Sequence, residues 1–136
     1  MNKLEDLGIL IEEFFLKKEF EYISVSSAKQ NERILILNAE SIFLEHYEEF
    51  NISALLSFNT NSRKGKSKLK SILGSTEFYS FEKRNDGRST VLITKPSNNK
   101  DQLLGRIEFL LKTFFNDINH SDIILKAVKV NRITIS

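Results

Sequence analysis

The stretch that decides the fold is residues 77–95, which read EFYSFEKRNDGRSTVLITK. Its two arms, 77–83 and 89–95, are rich in aromatic and β-branched residues, and these residue types favour strands. Between the arms lies the tip Arg84-Asn85-Asp86-Gly87-Arg88, in which Asn, Asp and Gly supply the positive φ angles of a tight turn. The pattern predicts an antiparallel β-hairpin.

Helical periodicity appears on both sides of this hairpin. On its C-terminal side, Asn98 or Asn99 is expected to cap a helix that ends near Asn116. The apolar stripe of that helix consists of Leu103, Leu104, Ile107, Leu110, Leu111, Phe114 and Phe115. At the start of the chain, the same spacing predicts a helix over residues 3–18. We expect the 103–115 stripe to cover the sheet of its own domain, with pairing to a second copy of the chain as the alternative.

The segment between the first helix and the hairpin changes its pattern several times. Residues 20–26 and 33–37 favour two strands that form a second hairpin, the latter with apolar residues on both faces, as in a central strand. After Asn38 the spacing of apolar residues predicts a helix that continues to Phe50. Asn51 is then expected to cap a short helix that carries Ile52, Leu55, Leu56 and Phe58.

The remaining segments complete the predicted order of elements. The polar residues 59–66 predict a turn, and Leu69, Ile72 and Leu73 predict a short helix that ends at Gly74. From Ile123 a strand pattern begins. Near Asn131 its apolar residues change from even to odd positions, which indicates a bulge or a second strand. The order is therefore α-β-β-α-α-α-β-β-α-β.

Length and composition indicate one domain. The 136 residues, 40% of them hydrophobic, suffice for a single core without disulfides or metal. We predict an α+β fold over residues 1–136, in which helices pack on antiparallel hairpins.

Charge is distributed unevenly along the chain, although the formal net charge is only +2. Residues 1–61 contain five basic and eleven acidic residues, whereas residues 62–136 contain fifteen basic and seven acidic residues. Such an asymmetry is typical of proteins that meet an anionic partner, although the two halves can also neutralise each other across the fold.

The basic residues concentrate in two places. Five of them fall within eight positions that contain no acid: Arg63, Lys64, Lys66, Lys68 and Lys70. Three more flank the hairpin tip: Lys83, Arg84 and Arg88. Basic side chains near nucleic acid release the counterions of its phosphates, so these eight residues are the candidate nucleic-acid-binding residues. The alternative is a solvated basic face that serves solubility alone.

Residues 41–95 read as helix, short helix, basic turn, short basic helix and two-stranded hairpin. This order resembles a winged-helix domain, over about two-fifths of the chain and without a residue motif specific to that family. The resemblance implies that the third helix enters a groove of nucleic acid and that the hairpin acts as a wing on the backbone. Lys66, Ser67, Lys68, Lys70 and Ser71 would then lie on or near the recognition helix, and Lys83, Arg84, Asn85 and Arg88 on the wing.

Catalytic and metal sites are not expected. The chain has no Cys and two His residues, and it lacks the motifs of serine nucleophiles, phosphate loops and dinucleotide binding. Glu45, His46, Glu48 and Glu49 would form at most the beginning of a metal or acid–base site, and a solvated acidic helix face is the alternative. We expect no cofactor and no enzymatic activity.

The first residues, MNKLEDLGILIEEFF, lack the basic start and the cleavage site of a secretory signal, and no apolar run is long enough to span a membrane. A cytoplasmic or nuclear protein without a membrane partner is expected. The sequence thus predicts a small non-enzymatic regulator or accessory protein that binds DNA or RNA. The alternative is a protein–protein adaptor or inhibitor that binds no nucleic acid, and a protein partner or a homodimer is compatible with both.

Overall fold

Six strands pair into one antiparallel sheet in the computed structural model, which describes residues 3–28, 30–59, 63–72, 76–82, 89–115 and 123–129. The elements in chain order are α1 Lys3–Lys17, β1 Phe20–Ser27, β2 Gln30–Asn38, α2 Ala39–Phe43, β3 Ile52–Asn59, α3 Arg63–Ile72, β4 Phe78–Glu82, β5 Ser89–Thr94, α4 Lys100–Phe114 and β6 Ile123–Lys129. The spatial order of the strands is β4-β5-β3-β2-β1-β6. The predicted α+β class is confirmed.

Both predicted hairpins are present in this sheet. In the first, β1 pairs with β2 and Tyr22 lies opposite Leu37. In the second, β4 pairs with β5 and Phe78 lies opposite Thr94. The tip of the second hairpin, residues 83–88, lies outside the described residues, as does the predicted change of parity near Asn131.

Two long helices cover one face of the sheet, which we call the inner face. Its central residues are fully buried against α1 and α4 in one core cluster: Ile23, Val25, Ile34, Ile36, Ala54, Leu56 and Leu92. The predicted stripe of α4 is buried in this core, with Phe114 1% exposed. The Asn99 side chain caps α4 as predicted and accepts a hydrogen bond from the backbone N–H of Gln102 at 3.0 Å. The α4 stripe therefore covers its own sheet and is not available for a second copy.

The predicted helix at residues 51–58 is wrong, because this segment is the central strand β3. Ala54, Leu56 and Phe58 point to the inner face at a spacing of two and are buried. Leu55 points to the opposite face, which we call the outer face; its apolar residues include Leu35, Leu55, Val91 and Ile93. A strand with apolar residues on both faces also places them at helical spacing, and a segment of eight residues suits a strand better.

The predicted helix from Asn38 to Phe50 is also wrong in its length. It ends at Phe43, and Leu44 adopts the left-handed conformation with φ 55°. The Phe43 ring then lies 5.7 Å from that of Tyr79, whereas the Phe50 ring lies 5.7 Å from that of Phe14 in α1. The aromatic residues of the predicted stripe pack at different places, so one straight helix cannot carry them all.

The basic segment 63–70 differs from its prediction at its N-terminal end. Residues 63–66 were expected in a turn, but α3 begins at Arg63 and ends at Ile72. Within residues 41–95 the observed order is therefore helix, strand, helix and hairpin. The helix that a winged-helix domain would place at 51–58 is absent from this segment, while the basic helix followed by a hairpin is present.

A buried side-chain hydrogen bond joins β3 to β5. The backbone N–H of Ala54 donates to the Thr94 hydroxyl at 2.8 Å, and both residues are fully buried. Thr94→Val should lower the free energy of unfolding by about 1–3 kcal/mol, because it leaves a buried N–H without an acceptor. Thr90→Val is the matched control: Thr90 is buried on the same strand and face, and its hydroxyl has no partner among the described residues. Equal urea midpoints for the two variants would contradict this role of Thr94.

Candidate nucleic-acid interface

The helix α3 presents a row of basic side chains on its solvent face. Arg63, Lys66 and Lys70 follow one another at spacings of three and four residues, and all three are exposed. Residues at these spacings share one face of a helix. None of the three forms an ion pair within the part of the chain that the structure describes. We call this row the α3 basic row.

The opposite side of α3 anchors it to the core. Ile72 is 3% exposed within the core cluster, and Leu69 packs against that cluster. The Lys68 ammonium lies over the Phe114 ring at 5.3 Å from its centroid, which is the geometry of a cation–π contact. Lys68 is therefore half-buried and supports the packing of α3, so it differs from its exposed neighbours.

The structure locates only part of the predicted basic site. Arg63, Lys66, Lys68 and Lys70 lie on one helix, and Lys64 belongs to that helix by its backbone. The remaining three residues, Lys83, Arg84 and Arg88, lie outside the described residues. The described strand end next to them lies close to α3. Ser89, the first residue of β5, pairs with Asn59, which is the last residue of β3 before α3. The start of the basic helix and the described ends of the second hairpin, Glu82 and Ser89, thus adjoin the same end of the sheet, which we call the α3 end.

Two further basic residues near this end were not predicted as site residues. Lys112 is exposed in the last turn of α4, two positions before Phe114, whose ring contacts Lys68. Arg33 is exposed near the start of β2, opposite Ser26 at the end of β1. Only the strand order brings these residues to the α3 end, because each is isolated from other basic residues in the sequence.

The opposite end of the sheet, which we call the α2 end, carries a cluster of carboxylates. Here β2 ends at Asn38 opposite Ile52, the first residue of β3. The short helix α2 and the segment that follows it contribute four carboxylates: Glu40, Glu45, Glu48 and Glu49. The α3 basic row and this cluster thus lie at opposite ends of one sheet, although Lys17, Lys18 and Lys129 also lie at the α2 end.

The segment with the predicted acidic and imidazole groups does not form a helix face. Glu40 holds it instead: one carboxylate oxygen accepts the backbone N–H of Tyr47 at 3.0 Å and lies 3.3 Å from Nδ1 of His46. Burial, followed by the nearby Glu45 carboxylate, raises the pKa of the Tyr47 hydroxyl. Among the residues that the structure describes, no three His, Cys, Asp or Glu side chains are grouped to hold a metal ion. The arrangement fixes the local chain path.

No family model matches the chain, and searches of curated proteins and of solved structures found no match. Any proposal for the function therefore rests on the geometry described above. No helix in the described ranges is both long enough and apolar enough to cross a membrane.

Proposed function

We propose that this protein is a small non-enzymatic regulator or accessory protein that binds nucleic acid through the α3 basic row. The observation that carries the proposal is that Arg63, Lys66 and Lys70 are exposed on a helix that contains no acid and form no ion pair with any described residue. The helix is held against the core by Leu69, Ile72 and the ring contact of Lys68. A rigid helix holds its cations in one arrangement relative to a ligand.

The dimensions of the row suit a phosphate backbone. Arg63 and Lys70 are seven residues apart, which corresponds to about 10 Å along a helix axis. One DNA strand advances by about 3.4 Å per phosphate, so a comparable length presents about three negative charges. The number of cations in the row therefore matches the number of phosphates that one strand carries over that length of the duplex axis.

The polar groups of α3 offer little for reading base edges. The Ser71 hydroxyl donates to the backbone carbonyl of Lys68 at 2.6 Å and is engaged within the helix. Ser67 is the other exposed hydroxyl of α3. Because phosphate contacts position a protein without reading sequence, we expect binding that tolerates many sequences.

A salt titration tests this proposal. The wild-type protein is titrated with duplex DNA, single-stranded DNA and a structured RNA of mixed sequence, and the affinity is followed by fluorescence anisotropy. For duplex DNA, the logarithm of the affinity should fall with the logarithm of salt concentration with a slope of about 2–3, as expected for three phosphate contacts. A folded sample that binds none of the three nucleic acids at about 0.02 M salt would overturn the proposal, since binding of this type is strongest at low salt.

A protein–protein adaptor or inhibitor is the second candidate function. The apolar outer face favours it, because an apolar surface suits a protein partner better than a phosphate backbone. The same titration separates the two candidates: an adaptor shows no nucleic-acid binding at about 0.15 M salt and retains its protein partner in a pull-down.

A further inference from the structure

The outer face of the sheet carries apolar side chains at its centre, where water is expected, although Ser26, Ser53 and Ser57 lie on the same face. One row of residues crosses all six strands, from β6 to β4: Lys126, Ser24, Leu35, Leu55, Ile93 and Tyr79. Antiparallel sheets with helices on one face ordinarily carry polar side chains on the other. Leu35 and Leu55 lie at the centre of this row, on the two central strands.

This face is separate from the core. Leu35, Leu55 and Val91 do not belong to the core cluster beneath α1 and α4, and each keeps part of its surface exposed. At the β6 edge, Ile124 is 51% exposed. Among the described residues, α2 reaches this face at its β4 edge, through the ring contact of Phe43 with Tyr79. The centre of the outer face is therefore an apolar surface with partial exposure.

We propose that the outer face is the interface of a homodimer, in which the sheets of two copies pack face to face. The twofold axis lies parallel to the strands, midway between β2 and β3, which are the two central strands. It places Leu35 of one copy opposite Leu55 of the other. Ser24 and Ile93, the next residues outward in the row, are 6% and 7% exposed and contribute little surface. The partly exposed apolar centre thus meets the same centre of the other copy, as a twofold interface requires.

The size of the face agrees with this occupant. Five spacings of about 4.8 Å between six strands give a width of about 24 Å, and six residues at about 3.3 Å give a length of about 20 Å. Two copies would bury on the order of 1,000 Å², which reaches the lower limit for a specific interface. We therefore expect a dissociation constant in the micromolar range.

The cations of this face are Lys126, on the edge strand β6, and Arg33, near the α3 end of β2. The twofold axis places Lys126 of one copy over β4 of the other, so the two Lys126 side chains stay apart. Arg33 lies on β2 next to the axis, so the two Arg33 side chains lie near each other beside the apolar centre. Their repulsion agrees with the weak, micromolar affinity expected, and salt reduces it.

Sedimentation equilibrium tests the proposal on the full chain. The wild type should have twice the 15.7 kDa mass of one chain at high concentration and dissociate on dilution. Leu35→Glu should raise the dissociation constant at least about tenfold, because it places two carboxylates at the centre of an apolar interface. Ile9→Glu is the matched control: Ile9 is 57% exposed on α1, on the other side of the sheet, and its replacement should leave the dimer intact. A wild type that stays monomeric at about 0.5 mM would overturn the proposal and leave the face to a different protein.

Cross-linking provides a test that does not depend on the folding of the Leu35→Glu variant. The chain contains no Cys, so each single-cysteine variant reacts at one position. Leu35→Cys lies next to the axis and should form covalent dimers with a bismaleimide that spans about 8–10 Å, since stacked sheets lie about 10 Å apart. Ile9→Cys should form none under the same conditions. Equal cross-linking of the two variants, or none at Leu35→Cys, would contradict the proposed interface.

Discussion

Phe114→Ala should lower the free energy of unfolding by about 3–5 kcal/mol, the range for loss of a fully buried aromatic side chain. Phe114 is 1% exposed, and its ring centroid lies 4.6 Å from that of Phe58 on β3. The substitution removes the ring contact between Phe114 and Phe58 and leaves a cavity that the remaining side chains fill only in part. It also removes the ring beneath Lys68, so the same change loosens the attachment of α3.

Phe109→Ala is the matched control for this prediction. It makes the same chemical change on the same helix, but Phe109 is 42% exposed and packs on Phe78 at 5.6 Å. We expect a loss of about 1 kcal/mol there, because most of the cost of Phe→Ala comes from buried surface. Urea denaturation followed by circular dichroism measures both variants. A loss at Phe109→Ala as large as that at Phe114→Ala would show that α4 does not bury the face assigned here.

Replacing the α3 basic row should weaken nucleic-acid binding about 100-fold at about 0.1 M salt, if each side chain neutralises one phosphate. The variant carries Arg63→Gln, Lys66→Gln and Lys70→Gln and retains Lys68 for its packing on Phe114. The slope of affinity against salt should fall by about 2–3, since each lost contact no longer releases a counterion. Stability should change by less than about 1 kcal/mol, because the three side chains are exposed.

A second triple variant separates local contact from net charge. Lys17→Gln, Lys18→Gln and Lys129→Gln remove the same charge, but from residues at the α2 end, where α1 and β6 terminate. Its affinity should stay within about threefold of the wild type at 0.1 M salt, since exposed charges beyond a Debye length are largely screened. If both triple variants lost affinity equally, binding would follow net charge, and α3 would not be the contact surface.

The sequence predicts most of the elements for identifiable reasons. The hairpin arms of 77–95, the stripe of α4 and its cap at Asn99 each follow from local chemistry that the tertiary structure leaves unchanged. Residues 51–58 do not, because apolar residues on both faces of a central strand satisfy helical spacing as well. The end of α2 also escapes prediction, because a leucine in the left-handed conformation has no signature of its own, unlike glycine.

The candidate site divides in the same way. The cluster Arg63–Lys70 is local in sequence and was predicted, whereas the additions Lys112 and Arg33 depend on strand order and were not. The different role of Lys68 requires knowledge of the ring beneath it. The sequence predicts part of the apolar outer face, because apolar residues on both faces of 33–37 predict a central strand. The extent of this face across six strands can be read only from the register of the sheet.

The α3 basic row and the carboxylates of the α2 end lie at opposite ends of the sheet and give the molecule an electric dipole, which Lys17, Lys18 and Lys129 reduce. In the field of a polyanion, such a dipole experiences a torque that turns the α3 end forward and the carboxylates of the α2 end away before contact. A larger fraction of encounters is then productive than for a randomly oriented molecule, so the association rate constant rises at low ionic strength. Salt should therefore slow association through the loss of this orientation, and separately shorten the lifetime of the complex through its action on the bound phosphates.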